Sequence, residues 1–293
     1  DFCLSRGLGD VYKRQIFMSE KSCSNTSCDK SSCEGCPSKA KEQTPVSLQA
    51  ECNEYSCVRR VIGVVSGKGG VGKSMVTASL ANELAAKGYQ VGILDADITG
   101  PSIPRMYGVH GAAEASDMGI EPRMTKNGIK LMSMNLLLPT EDTPVIWRGP
   151  IIANIVKQFW TDVIWGDLDY LLVDMPPGTG DVPLTVFQSL PVSEIVVVTS
   201  PQDLVQLIVK KALSMADQMK IPVKGVVENY SWLECPDCGK KLYPFGKSHL
   251  EEIAGEEKLQ IIGRIPMKPE FAEAADAGEF DKVRNPYLDV DFE

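Results

Sequence analysis

From residue 58 onward, short runs of aliphatic residues recur at Val61–Val65, Val91–Leu94, Ile129–Met134, Tyr170–Val173, Ile195–Thr199, Lys224–Glu228 and Ile261–Ile265. They are continuous rather than alternating. A strand covered on both faces has no polar side to show, so this pattern predicts strands of a buried, mostly parallel sheet. Helical periodicity fills most of the gaps, at Met75–Lys87, Ile151–Ile164, Leu204–Met219 and, more briefly, His249–Ala254. Gly88 stands where a left-handed residue would close the first of these helices. Strand–helix alternation predicts right-handed crossovers and an α/β fold with a doubly wound, mostly parallel sheet. In such folds ligands bind beyond the carboxyl ends of the strands. The residues following each strand are therefore where chemistry is expected.

The texture before residue 58 is different. Residues 1–17, DFCLSRGLGDVYKRQIF, precede Met18, and the string LSRGLGDVYKRQ resembles translated sequencing-adaptor read-through. We expect them to be a non-native or disordered extension, with the native start at Met18. Residues 18–57 are rich in Ser, Lys, Glu and Cys and poor in large apolar residues. Such a segment cannot bury a core and is expected to be flexible unless metal organises it. The folded domain is expected over 58–293.

Composition narrows the function classes. The 293 residues are 43% hydrophobic and 24% charged, which excludes wholesale disorder. No run approaches the ~20 apolar residues of a membrane span. A net charge of -9 offers no basic surplus for wrapping nucleic acid. Six of the nine cysteines fall within residues 23–57, and no secretory signal precedes them. A cytoplasmic location follows as the expectation, and clustered thiols there point to metal rather than to disulfides.

The first strand runs into Gly67-Lys68-Gly69-Gly70-Val71-Gly72-Lys73-Ser74, which fits the G-x-x-x-x-G-K-[ST] phosphate loop. Glycines let successive N–H groups converge on phosphate oxygens, and the following helix adds its positive end. Lys73 is expected on the β- and γ-phosphates, and the Ser74 hydroxyl on Mg²⁺. Two further strands run into carboxylates, one into Asp95-Ala96-Asp97 and one into Asp174-Met175-Pro176-Pro177-Gly178. An apolar strand ending in Asp beside a phosphate loop is the Walker B arrangement, so Asp174 is expected near Mg²⁺. Asp95 would support the metal or its loop, and Asp97 would orient the attacking water. The loop at Gly178 can move its backbone toward or away from a γ-phosphate. Asn229 follows the Lys224–Glu228 strand, and its amide suits an adenine edge.

Cys235-Pro236-Asp237-Cys238 is a C-x-x-C turn that supplies two thiolates, whereas zinc or an iron–sulfur cluster takes four. Cys23, Cys28, Cys33 and Cys36 form a second group that suits zinc or a [4Fe–4S] cluster equally well. Cys52 and Cys57 are expected to be free thiols. His110 and His249 lack ligand spacing.

Taken in order, the loop with its extra Lys68, DADITGPS at 95–102, WRGP at 147–150, VDMPPGTGD at 173–181 and VVENYS followed by CPDC resemble the Mrp/ApbC family of ATPases. That family is related to MinD, ParA and the nitrogenase iron protein. The resemblance implies an ATP-dependent iron–sulfur cluster carrier, and slow hydrolysis is expected because no arginine finger is evident in the sequence. It implies a homodimer sharing a [4Fe–4S] cluster between the Cys235 and Cys238 pairs of two chains, with apo iron–sulfur proteins as clients. It also implies that Lys68 reaches the phosphates of the partner subunit and that Asn229 reads the base. A branch of the family carries an N-terminal four-cysteine cluster, from whose spacing the group at Cys23–Cys36 departs. Two rival readings remain: a zinc-stabilised ATPase regulator, and a positioning ATPase of the MinD/ParA kind. The tail FDKVRNPYLDVDFE lacks the basic helix or basic face that the second would use.

Overall fold

The computed structural model of this chain describes residues 49–97, 100, 102–138, 149–178, 180–201 and 205–292. Cys23, Cys28, Cys33 and Cys36 lie outside them, as do Trp147 and Arg148 of the WRGP string. The elements are β1 (Cys57–Val65), α1 (Lys73–Ala86), β2 (Val91–Asp95), α2 (Ile103–Met106), β3 (Ala115–Ser116), β4 (Gly119–Ile120), β5 (Arg123–Met124), β6 (Lys130–Ser133), α3 (Gly149–Thr161), β7 (Asp167–Asp174), α4 (Asp181–Ser189), β8 (Glu194–Thr199), α5 (Val205–Met219), β9 (Val223–Glu228), β10 (Leu233–Glu234), β11 (Lys241–Leu242), α6 (Leu250–Glu256), β12 (Ile261–Arg264) and α7 (Pro269–Asp276).

Eight strands form one sheet in the order β12-β9-β8-β1-β7-β2-β6-β5. Every pairing is parallel except β5 against β6 at one edge. All seven strands expected from the aliphatic runs are present within a few residues of their expected bounds. Their inner residues divide between two cores. Val61 and Val65 of β1 face Phe159, Val186 and Val209 on one side of the sheet. Ile62 and Val64 face Val76, Leu80 and Phe280 on the other. Truncating a fully buried residue such as Leu80 to Ala costs about 2–5 kcal/mol.

Helix α1 is buried nearly all round, from Lys73 through Leu84, and this explains its lack of a polar stripe. Gly88 follows it at φ 94, and its N–H donates to Ala85 O at 3.0 Å, the left-handed closure expected there.

Where the structure departs from the sequence pattern, local reasons are visible. The helix expected over Ile151–Ile164 ends at Thr161, because Ile164 N donates to Ile120 O at 2.9 Å and Val163 bridges to β4. Helix α4 was not expected, since the Pro-rich run ahead of it reads as a loop. Pro183 nevertheless lies in the first turn of α4, where its missing N–H has no intrahelical partner to lose. Helix α7 likewise starts at a proline, Pro269. The short strands β3, β4, β5, β10 and β11 span two residues each, too few for any periodicity to register.

Residues 49–57 belong to the folded body. Ala50 N donates to Ser189 O at 2.8 Å, Trp160 Nε1 donates to Ala50 O at 3.0 Å, and Cys52 packs against the core. The acidic tail is a packed strap. Asn82 Nδ2 donates to Phe280 O at 2.7 Å, and Arg284 holds Glu83 at 3.0 and 2.8 Å.

Candidate functional site

Sheet order creates the first site. The phosphate loop leaves β1, which is flanked by β7, and β7 is in turn flanked by β2. In the β2–β7 register Asp95 lies opposite Asp174. Asp174 is completely buried and accepts from three side chains: Lys73 Nζ at 2.7 Å, Ser74 Oγ at 2.6 Å and Thr77 Oγ1 at 2.8 Å. Lys73 is itself only 6% exposed, so the ion pair sits where solvent screens little. The sequence reading missed Thr77. Its signal was available, because four residues after Lys73 is the same face of the helix.

Asp95 is buried as well, and its carboxyl is held well above the usual carboxylate range. Burial is the main cause, and the Asp174 charge adds to it. Asp95 Oδ1 accepts Asp97 N–H at 3.2 Å and Oδ2 accepts Ser133 Oγ at 3.3 Å, so Asp95 fastens the loop that carries Asp97. The neighbouring loop is fastened too, with Gly178 N–H donating to Ser66 O at 2.8 Å.

The loop's own backbone is held from below. Asn229 is fully buried, and its Nδ2 donates to Val71 O at 2.9 Å, while Oδ1 has no partner. Gly72, at φ 78, lies against this amide: a Cβ there would stand 2.2 Å from Asn229 Nδ2 and 2.9 Å from the Tyr230 hydroxyl. Only glycine fits both the left-handed backbone and the contact. Above the loop opens a cleft of about 390 Å³, within the range of small-ligand sites. Gly69, Gly70, Lys73, Ser74 and Asp97 line it together with Met106, Phe271, Ala275 and Asp276. The α7 residues went unnoticed in the sequence because α7 itself did. Gly67 is half-buried, and Lys68 is exposed.

The second site is a hairpin. Strand β10 pairs with β11, and between them Cys235 N donates to Lys240 O at 3.0 Å and Gly239 N to Cys235 O at 2.9 Å. The backbone N–H groups of Cys238 and Asp237 turn toward the Cys235 sulfur and hold its thiol below the ordinary value. Cys238 is exposed. Among the described residues no set of three or more His, Cys, Asp or Glu side chains is placed to hold a metal ion. Cys52 and Cys57 are free thiols, and burial pushes the Cys52 thiol up. His249 contacts Glu252 at 3.2 Å on the surface.

The sequence profile of the ParA family, described as NUBPL iron-transfer P-loop NTPase, matches residues 57–288. The chain is 48% identical over 249 residues to the iron-sulfur cluster carrier protein of Clostridium perfringens, covering 82% of this chain and 87% of that one. It resembles the nucleotide-binding protein of Archaeoglobus fulgidus solved in complex with ADP, with a TM-score of 0.72 at 44% identity over 78% of this chain and 90% of that one. The cell division ATPase MinD of Pyrococcus furiosus shares the fold, with a TM-score of 0.55 at 20% identity over 79% of this chain and 93% of that one.

Proposed function

The chain belongs to the ParA-type family of NUBPL iron-transfer P-loop NTPases, and from that premise we propose that it is an ATP-dependent carrier of iron–sulfur clusters. The observation that carries this reading is the hairpin. Cys235 and Cys238 form a prepared ligand pair with no third ligand among the described residues. A [4Fe–4S] cluster is held by four thiolates, so a second copy of the chain completes the set. The cluster is cargo, held at the interface of a homodimer and passed to apo-proteins. The name of the Clostridium perfringens relative supports the same cargo.

The nucleotide side follows from the first site. Lys73 binds the β- and γ-phosphates, and Lys68 reaches those of the partner subunit. Magnesium fits the hard oxygens of Ser74 and Asp174, with Asp95 beside them. When bound, it neutralises phosphate charge. Asp97 orients the attacking water, and the loop at Gly178 responds to the γ-phosphate. Asn229 is assigned to the base, which its buried Oδ1 can reach only once it is uncovered. No arginine is among the described residues lining the cleft, which supports slow hydrolysis. ATP binding and hydrolysis then bias the arrangement of the two subunits, and with it the exposure of the cluster.

The test is iron binding by the full chain with Cys23, Cys28, Cys33 and Cys36 replaced by Ser. Reconstituted without oxygen, it is expected to bind about four irons per pair of chains with the broad absorption of a [4Fe–4S] centre. Adding Cys235→Ala should remove the iron and leave ATP binding in place. Asp97→Ala should bind ATP but fail to hydrolyse it. Zinc held within each monomer, with no iron taken up, would sink the carrier reading. Iron retained by a Cys235→Ala, Cys238→Ala variant of the unaltered chain would place a second cluster on the N-terminal cysteines.

A further inference from the structure

The two sites are joined by one short piece of chain, and its first side chain after Asn229 is unusual. Tyr230 has φ 60, a left-handed backbone that a bulky aromatic residue rarely adopts. Strain of this kind persists only where the surroundings over-determine it. Here they do so on both sides. Upstream, Asn229 is tied to the phosphate loop through Val71. Downstream, Ser231 N–H donates to Ile265 O at 2.9 Å, Met267 N–H donates to Trp232 O at 2.7 Å, and Leu233 bridges to Met267. The Tyr230 ring itself lines the cleft beside Gly72 and Lys73.

The hairpin's attachment narrows to the same place. The buried Glu228 carboxylate accepts Ser231 Oγ at 2.7 Å and is also bonded by Ser248 Oγ. These two serines stand at the start and the end of the excursion that carries Cys235 and Cys238. Both ends are thus gathered on the residue next to Asn229. Within the excursion, Lys241 Nζ stands 4.0 Å over the Trp232 ring, which ties the far strand of the hairpin to its near end. Trp232 also meets Tyr287 edge-on at 5.8 Å.

We propose that Tyr230 is a positioning residue that couples the phosphate cleft to the cysteine hairpin. Its ring shares the cleft with the nucleotide, and its left-handed backbone sets the direction in which the chain leaves for Cys235. A nucleotide that repositions the ring changes that direction. The change reaches Cys235 because Ser231, Trp232 and Lys241 carry it as one clamped unit. This deepens the carrier reading and rests on it for its biological meaning, although the coupling itself is a property of the apo chain.

The experiment therefore reads thiol reactivity rather than iron. The full apo chain is alkylated with iodoacetamide, with and without saturating Mg²⁺ and a slowly hydrolysed ATP analogue. Modification of Cys235, Cys238 and Cys57 is followed by peptide mass spectrometry. In the parent, nucleotide should change the Cys235 rate by at least about fivefold, the lower end of ordinary two-site coupling, while Cys57 stays constant. Tyr230→Ala, assayed at a nucleotide concentration that saturates it, should bring the ratio of the two rates to within about twofold of one. Lys241→Met lies outside the cleft. It should keep parental ATP hydrolysis and lose the Cys235 response as well. A parent whose Cys235 ignores nucleotide, or a Tyr230→Ala variant with the parental ratio, overturns the proposal. Failure of the chain to bind iron would count against the carrier reading alone and leave the thiol result standing.

Discussion

The phosphate site and the cysteine hairpin carry chemistry in opposite ways. At the first, Asp174 is buried at a strand end in the middle of the sheet and accepts from three donors, and the loops on either side are fastened by further bonds. At the second, two two-residue strands hold a pair of cysteines at the surface, with Cys238 exposed. The Asp174 cluster of the first site is built within one chain. The second offers half the thiolates a cluster takes. On the proposed reading, the difference follows from what each site handles. A phosphate is recognised by donors fixed in advance and sheltered from water. A cargo that is received and handed on has to be reachable, so its ligands sit where little packing depends on them.

If that contrast is right, the largest effect on stability comes from the buried ion pair. Lys73→Ala leaves Asp174 buried without its counter-ion, and about 3–5 kcal/mol of folding stability should be lost in chemical denaturation. ATP binding should vanish with it in equilibrium dialysis. A variant that unfolds like the parent and still binds ATP breaks the picture of an over-determined phosphate site.

Gly72→Ala comes next. The left-handed backbone and the approach to Asn229 Nδ2 together should cost about 1–3 kcal/mol and weaken ATP binding. Unchanged affinity would mean that the Asn229 support beneath the loop does not position it.

Asp95→Asn should act in the opposite direction on stability. The Asp95 carboxyl is raised in the folded state, so between the ordinary carboxylate range and its folded value the native chain holds more protons than the unfolded one. Stability contributed by this group therefore falls as pH rises through that window. Asparagine removes the slope, and near pH 7 the variant should be more stable by a margin ordinary for one substitution, about 1 kcal/mol. Hydrolysis should be impaired. Parallel denaturation midpoints of variant and parent from pH 4 to 8 would refute the assignment.

The smallest stability effect belongs to the hairpin. Cys235→Ala with Cys238→Ala should shift unfolding by less than about 0.5 kcal/mol, the usual range for surface substitutions, while abolishing the iron carried there. A large loss of stability in the apo chain would make these cysteines structural and erase the contrast.

Much of this was legible in the order of residues. A phosphate loop and a C-x-x-C turn are local: their chemistry depends on neighbours within a few positions, and the chain carries those neighbours wherever it folds. The seven aliphatic runs likewise declared a buried parallel sheet, because a strand covered on both faces has no polar positions to show. Short elements escaped for the converse reason, since two-residue strands and helices opened by proline leave no period to detect. What tertiary structure alone decided is which distant residues meet. Asp95 faces Asp174 only because β2 pairs with β7 in one particular register. Asn229 supports a loop 158 residues away, and Glu228 gathers Ser231 and Ser248 next to it. No local pattern encodes such meetings, because they are set by strand order, and strand order is the outcome of burying two cores on opposite faces of one sheet.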